Sequence, residues 1–387
     1  MERSMFLRLV VLLCALVLLS SCAVPPDSPR FQPSGNLPRH DQASFDQYVR
    51  DTRAWIADNR AFIGEDRYRE IALNAPFERR PGTPTNRGIL FVHGLGSSPW
   101  YFTDVANAMA EDGWLVRSIL LPGHGTRPAD LMLPGHDDWE NAVAHHTKLL
   151  ADDVDELWLS GFSTGGNLVT TQAFQDDSVD GLLLFSPGFY PDSQYLFLAP
   201  AISYFWDWLD IDDEDNIVTY QSLPSRGASL YHRSVSTVQK NLDANRFDKP
   251  VLMTISQHDS VLDPEATLDV FQTRFPNPKS RFVWYGDTPQ HLDDPRVTAL
   301  TSSLPDRRIS NFSHMNVLFA PENTYYGETG SYLMLENGQE DLAPPDNPDA
   351  IWFSAWGQRD AEKYHARLTW NPYFDDLLDE IRNVTGD

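Results

Sequence analysis

The sequence predicts an α/β protein built on a mostly parallel sheet flanked by helices. Short apolar runs recur along the chain, separated by stretches with helical spacing. Three of these runs lead directly into glycine-bearing turns: His93-Gly94-Leu95-Gly96, Pro122-Gly123-His124-Gly125 and Gly161-Phe162-Ser163-Thr164-Gly165. The chain has 387 residues and is 41% hydrophobic, enough to cover both faces of such a sheet.

The elements follow in chain order. Arg3 and Arg8 precede an apolar run from Leu9 to Leu19. That run is shorter than the roughly 20 residues of a spanning helix, so residues 1–21 read as a secretory signal. It ends in Leu19-Ser20-Ser21-Cys22, which resembles the bacterial lipobox. The resemblance implies cleavage before Cys22, acylation of that cysteine and tethering to a membrane. Ala23, where Asp would mark inner-membrane retention, implies the periplasmic face of the outer membrane if the source is Gram-negative. Cys14 and Cys22 are the two cysteines of the chain, so no pair is left for a disulfide after processing. Residues 22–40 are rich in Pro and are expected to be a lipidated N-terminus and flexible tether. Residues 41–387 are expected to form one domain.

From Ser44 onward, Phe45, Tyr48, Val49, Trp55 and Ile56 predict a helix. Buried strands are expected at Gly88–Val92, Trp114–Leu121, Leu157–Leu159, Gly181–Phe185, Val251–Ile255, Arg281–Tyr285 and Arg308–Phe312, with a helix from Trp139 to Leu150. Residues 188–248 are far longer than a normal connection. Residues 320–370 carry Pro and Gly with weak periodicity. Asn371 as N-cap, Pro372 at the first helical position, and Phe374, Leu377, Leu378 and Ile381 predict a closing helix.

The formal charge of −25 argues against nucleic acid as a partner, because phosphate binding runs on clustered cations. Neither a metal nor a cofactor is expected. His145 and His146 are adjacent and cannot face one ion from a helix. Asp210–Asp215 lacks the glycine and glutamate of a Ca²⁺ loop. Gly94-x-Gly96 lacks the rest of a dinucleotide fingerprint.

Ser163 is the strongest chemical signal. It sits in G-x-S-x-G between a strand and a helix, where a sharp turn exposes a nucleophile and the helix start offers free N–H groups. His93-Gly94-Leu95-Gly96 follows another strand. The backbone N–H groups of Leu95 and Thr164 are the expected oxyanion donors, and His93 is expected to pack in the turn.

HGLGSSPWYF, LPGHGTRPADL, the Trp-bearing helix and GFSTGGNL together resemble the α/β-hydrolases of the monoacylglycerol lipase, carboxylesterase and serine-aminopeptidase-like branch. The motifs run in order over Ile71 to Ala320. The resemblance implies a cap inserted at about 188–248 and a Ser–Asp–His triad in that chain order. The acid then follows Val251–Ile255, at Asp259 or Asp263. Asp263 is explained as a helix cap before Pro264, so Asp259 is preferred. The base is His314 or His291. His291 has the spacing expected after a strand but lies in a polar loop, PQHLDDP. His314 lies in FSHMNVLFAPENTYYGETGSY, which resembles the end of a bacterial lipoprotein-like hydrolase subgroup, and is preferred. His124 is expected to be structural.

The resemblance implies a serine carboxylic ester hydrolase acting on lipid-like or monoacylglycerol-like substrates. The fold also hosts acyltransfer and peptidase or amidase chemistry. An inactive surface lipoprotein that binds a partner is the alternative from outside enzymology.

Overall fold

A computed structural model of the protein describes residues 25–289, 293–339 and 341–386. The expected signal at 1–21, the lipidation site Cys22 and the alternative base His291 lie outside the described residues.

The strands are β1 (Phe77–Arg79), β2 (Arg87–Val92), β3 (Leu115–Ile119), β4 (Glu156–Phe162), β5 (Val179–Phe185), β6 (Trp208–Asp210), β7 (Leu223–Pro224), β8 (Val251–Ser256), β9 (Arg281–Tyr285), β10 (Val297–Leu300), β11 (Ile351–Ser354) and β12 (Tyr364–Arg367). Eight of them form the main sheet in the order β1-β3-β2-β4-β5-β8-β9-β10. β1 runs antiparallel to β3, and the remaining neighbours are parallel. The helices are α1 (Phe45–Asn59), α2 (Arg67–Asn74), α3 (Thr103–Glu111), α4 (Asp138–Ala151), α5 (Thr164–Gln175), α6 (Ala199–Ile202), α7 (Ser225–Ala244), α8 (Pro264–Arg274) and α9 (Phe374–Thr385). This is the α/β-hydrolase architecture that the resemblance implies.

Strand periodicity sorts the core into two layers. Ile89 and Phe91 of β2 face one apolar cluster, whereas Leu90 and Val92 face the other. A strand buried on both faces is therefore apolar at every position, which explains why the short runs were visible in the sequence. The central strands deliver their C-terminal ends, and the turns that follow them, to one edge of the sheet. Crevices at that edge are where open α/β sheets bind ligands.

Three expectations need correction. Arg308–Phe312 is not a strand. Arg308 takes a left-handed backbone (φ 57°), which breaks an extended run. Ile309 makes only isolated bridges, to Leu304 and Phe353, and the edge strand is β10 instead. The closing helix starts at Phe374 rather than Pro372. Asn371 is turned inward, where its amide donates to the Tyr285 hydroxyl (2.9 Å) and its carbonyl accepts from Tyr373 N (2.9 Å). The segment expected to be a free tether is laid against the body between Arg30 and Asn36. Ser34 N donates to Asp130 (2.6 Å), Trp55 Nε1 donates to Asn36 (3.0 Å), and Phe31 meets the Trp208 ring edge-on.

The long connection from β5 to β8 contains α6, the β6–β7 ribbon and α7. Residues 320–370 are more than a loop. Tyr325, Tyr326, Phe353 and Trp370 join the same apolar cluster as Ile89 and Phe91.

Candidate active site

Ser163 occupies the turn between β4 and α5 with φ 52° and ψ −117°. A side chain rarely adopts that backbone, so the surroundings must hold it. Ser163 N donates to Phe185 O (3.1 Å), and Ser163 O accepts from Gly166 N (2.9 Å) and Gly188 N (3.0 Å). The flanking glycines are required by space. A Cβ at Gly161 would collide with the backbone of Gly165, and one at Gly165 with the carbonyl of Val92.

The loop after β2 lies directly beside this turn. A Cβ on Gly94 would press on the Phe162 ring (3.0 Å) and on Ser163 Cβ (3.2 Å). Two histidines hold the loop. Leu121 N donates to His93 Nε2 (3.1 Å), which leaves the proton on Nδ1 to donate to Gly94 O (2.8 Å). Gly96 N donates to His124 Nε2 (3.0 Å), so His124 Nδ1 carries the proton and faces the carbonyls of Leu121 (3.2 Å) and Pro122 (3.3 Å). Both rings are fully buried and meet edge-on at 4.8 Å. Among the described residues, the N–H groups of Leu95 and Thr164 meet no acceptor. The arrangement leaves these two donors next to Gly94 and Ser163, while Gly96 N is taken up by His124 and Gly166 N by Ser163 O.

Burial pushes His124 down to about 4, and burial with the adjacent His124 pushes His93 well below the usual imidazole range. Each folded-state value lies below the unfolded value, so the unfolded chain takes up protons first as the pH falls. Stability from neutral His124 is present above about 6.5 and is lost as the pH drops toward 4. Urea unfolding of wild type between pH 6.5 and 4 is expected to lose about 3 kcal/mol through this group. His124→Gln, which keeps an acceptor for Gly96 N, is expected to show a correspondingly shallower dependence.

Asp259 follows β8, and its side chain is fully buried. Its Oδ1 accepts from Val261 N (2.9 Å) and Leu262 N (3.1 Å), and its Oδ2 lies 2.7 Å from His314 Nδ1. Asp263 instead caps α8, accepting from Ala266 N (3.0 Å). The His314 ring rests on Phe162 (5.0 Å), the residue before Ser163. The Asp259 contact fixes the proton on Nδ1 and leaves Nε2 as the basic nitrogen. The Ser163 hydroxyl makes no hydrogen bond among the described residues. Contacts between nucleophile and base commonly tighten only when substrate binds.

Sequence reasoning missed the serines that hold the loop around His314. Ser186 Oγ donates to His314 O (3.2 Å), Ser256 Oγ to Phe312 O (2.8 Å) and Ser313 Oγ to Leu368 O (2.6 Å). They come from three separated parts of the chain with no shared motif, and only Ser313 stood next to a candidate.

Among the described residues, no group of three or more His, Cys, Asp or Glu could hold a metal. The acidic turn after β6 is closed by its own surroundings, with Glu214 accepting from Ser222 N (2.7 Å).

Residues 83–221 match the family model described as serine aminopeptidase, S33. A thermostable monoacylglycerol lipase of Bacillus sp. (strain H-257) is 24% identical over 195 residues, covering 48% of this chain and 75% of that protein. Among solved structures, a metagenome-derived lipolytic enzyme from work on LipS and LipT matches with a TM-score of 0.49 and 21% identity, over 55% of this chain and 86% of its own. A monoglyceride lipase of Saccharomyces cerevisiae matches with a TM-score of 0.45 and 15% identity, over 58% and 85%.

Proposed function

We propose that this chain, an α/β-hydrolase by its fold and with residues 83–221 matching the serine aminopeptidase S33 family, is a serine hydrolase of carboxylic esters. The observation that carries the reading is the His314 Nδ1 contact to buried Asp259, made by a ring that rests on the residue preceding a strained Ser163. In the proposed reaction, His314 Nε2 takes the proton of Ser163 Oγ as Oγ attacks the ester carbonyl. The oxyanion is held by the N–H groups of Leu95 and Thr164. The intermediate collapses to an acyl-serine, and the leaving alkoxide receives the proton from His314. Water, deprotonated by His314, then releases the acid and restores Ser163. Asp259 holds the imidazole tautomer and stabilises the imidazolium without taking its proton.

A lipid-like acyl ester fits the surroundings. Tyr195, Phe197, Tyr204, Phe205 and Leu209 are exposed large apolar residues in the connection that would form the cap. The Bacillus relative is described as a monoacylglycerol lipase, which supports the same substrate class. Leu19-Ser20-Ser21-Cys22 supports a lipid anchor at Cys22 and a position at the bacterial envelope.

The test is turnover of p-nitrophenyl esters of increasing chain length and of a monoacylglycerol, with an added alcohol acceptor in parallel. Hydrolysis with a preference for medium or long acyl chains is the expected result. Transfer to the alcohol as the dominant product would make the protein an acyltransferase. No turnover of any ester by folded protein would overturn the reading.

A further inference from the structure

The region from Ala320 onward lies beyond the family match, yet it reaches the oxyanion loop through a chain of hydrogen bonds. Its first turn is pinned to α3, where Asp104 accepts from Ala320 N (2.9 Å) and Asn323 Nδ2 (2.8 Å). Asn323 Oδ1 in turn accepts from the N–H groups of Tyr325 (3.0 Å) and Tyr326 (2.9 Å). Both tyrosines are buried and grip residues 216–219, which lie in the connection between β5 and β8. Asn216 Nδ2 donates to the Tyr326 hydroxyl (2.6 Å). The Tyr325 hydroxyl donates to Asn216 Oδ1 (3.3 Å) and accepts from Ile217 N (3.2 Å). Thr219 Oγ1 lies 2.5 Å from the hydroxyl of Tyr101, whose ring packs on Phe162.

The gripped segment continues into Tyr220. Its N–H donates to Gly96 O (2.8 Å), and its ring stacks on His124, the acceptor of Gly96 N. Gly96 is therefore held on its carbonyl by Tyr220 and on its N–H by His124. The neighbouring residue is Leu95, the proposed oxyanion donor. Buried Arg60 and Asn74 also both donate to Ile217 O (2.7 and 2.8 Å), so the segment is held by a second set of contacts.

We propose that Tyr325 and Tyr326 are positioning residues for the reaction: they hold residues 216–220 so that Tyr220 sets the Gly96 peptide and aims the Leu95 N–H at the developing oxyanion. The C-terminal extension is then part of the catalytic apparatus, through contacts that never touch substrate. This inference rests on the serine hydrolase reading. Loss of a whole oxyanion donor costs on the order of 10²–10³ in rate, and a displaced donor costs less. The loss falls on kcat, because the donor acts on charge that exists only in the transition state.

The experiment compares wild type, Tyr325→Phe/Tyr326→Phe and Tyr373→Phe with a p-nitrophenyl ester. The double variant keeps both rings and removes both hydroxyls. Tyr373→Phe removes a hydrogen bond of the same extension, to Thr301 O (2.9 Å), away from the gripped segment. Thermal midpoints are measured for each protein, and rates are compared well below the lowest midpoint. Amide hydrogen exchange is followed for a peptide spanning residues 93–98. The expected result is a kcat lowered about 10-fold in the double variant with KM within about twofold, faster exchange in that peptide, and neither change in Tyr373→Phe. Ser163-dependent turnover that is equal in wild type and double variant would overturn the positioning role alone, as would a loss confined to KM, an equal loss in Tyr373→Phe, or unchanged exchange. Absence of Ser163-dependent turnover in wild type would overturn it together with the hydrolase reading. A double variant that does not fold is replaced by each single variant, with the same readouts deciding.

Discussion

Ser163→Ala is expected to lower kcat for ester hydrolysis by roughly 10⁴–10⁶, with little change in fold. The size follows from removing the atom that forms the covalent intermediate, since a nucleophile deletion leaves only binding and oxyanion stabilisation. The fold is expected to survive for a local reason. The Ser163 hydroxyl makes no hydrogen bond among the described residues, and the turn is held by backbone contacts to Phe185, Gly166 and Gly188 that alanine keeps. Circular dichroism and a thermal midpoint within about 2 °C of wild type are the expected controls, because substitutions that break no contact rarely exceed ~0.5 kcal/mol. Full activity in Ser163→Ala would remove the nucleophile from the account.

His314→Ala is expected to be nearly as severe, with kcat lowered by roughly 10⁴–10⁶. Without Nε2, no group takes the Ser163 proton as the bond to carbon forms. The change also strips Asp259 of its partner. That carboxylate keeps the Val261 and Leu262 N–H groups but loses a 2.7 Å contact inside a buried site, so some loss of stability is expected alongside. The two effects separate by thermodynamic cycle. In a Ser163→Ala background, His314→Ala is expected to cost stability and no further activity, since residues acting as one unit are not additive. A folded His314→Ala protein within tenfold of wild type would exclude His314 as the base.

The parts of the site that could be read from sequence are those made by neighbours in the chain. Ser163, Gly161 and Gly165 are fixed by one turn, and the turn's steric needs write themselves into adjacent positions. The loop Gly94–Gly96 is legible for the same reason. The base was ambiguous because its position depends on distant packing. Of the histidines after Asp259, His291 and His314 were both candidates, and the three-dimensional path sets His314 against it. The segment leading to His314 read as a strand and is a loop. Ile309 and Phe312 are apolar because the core buries them as loop residues, and a short segment holding two buried apolar residues reads the same as a strand or as a loop. The weakly periodic region after Ala320 concealed its role for a further reason. Tyr325 and Tyr326 act through hydroxyls that reach residues more than a hundred positions away, and no local pattern records such a partner.

In the proposed mechanism Ser163 is the acyl-accepting nucleophile and His314 activates it. The most direct measurement is to treat the folded protein with a fluorophosphonate and map the adduct by peptide mass spectrometry. One adduct on the peptide containing Ser163, absent in Ser163→Ala and formed far more slowly in His314→Ala, is the expected result. An unlabelled folded wild type, or an adduct on another residue that survives Ser163→Ala, would contradict it.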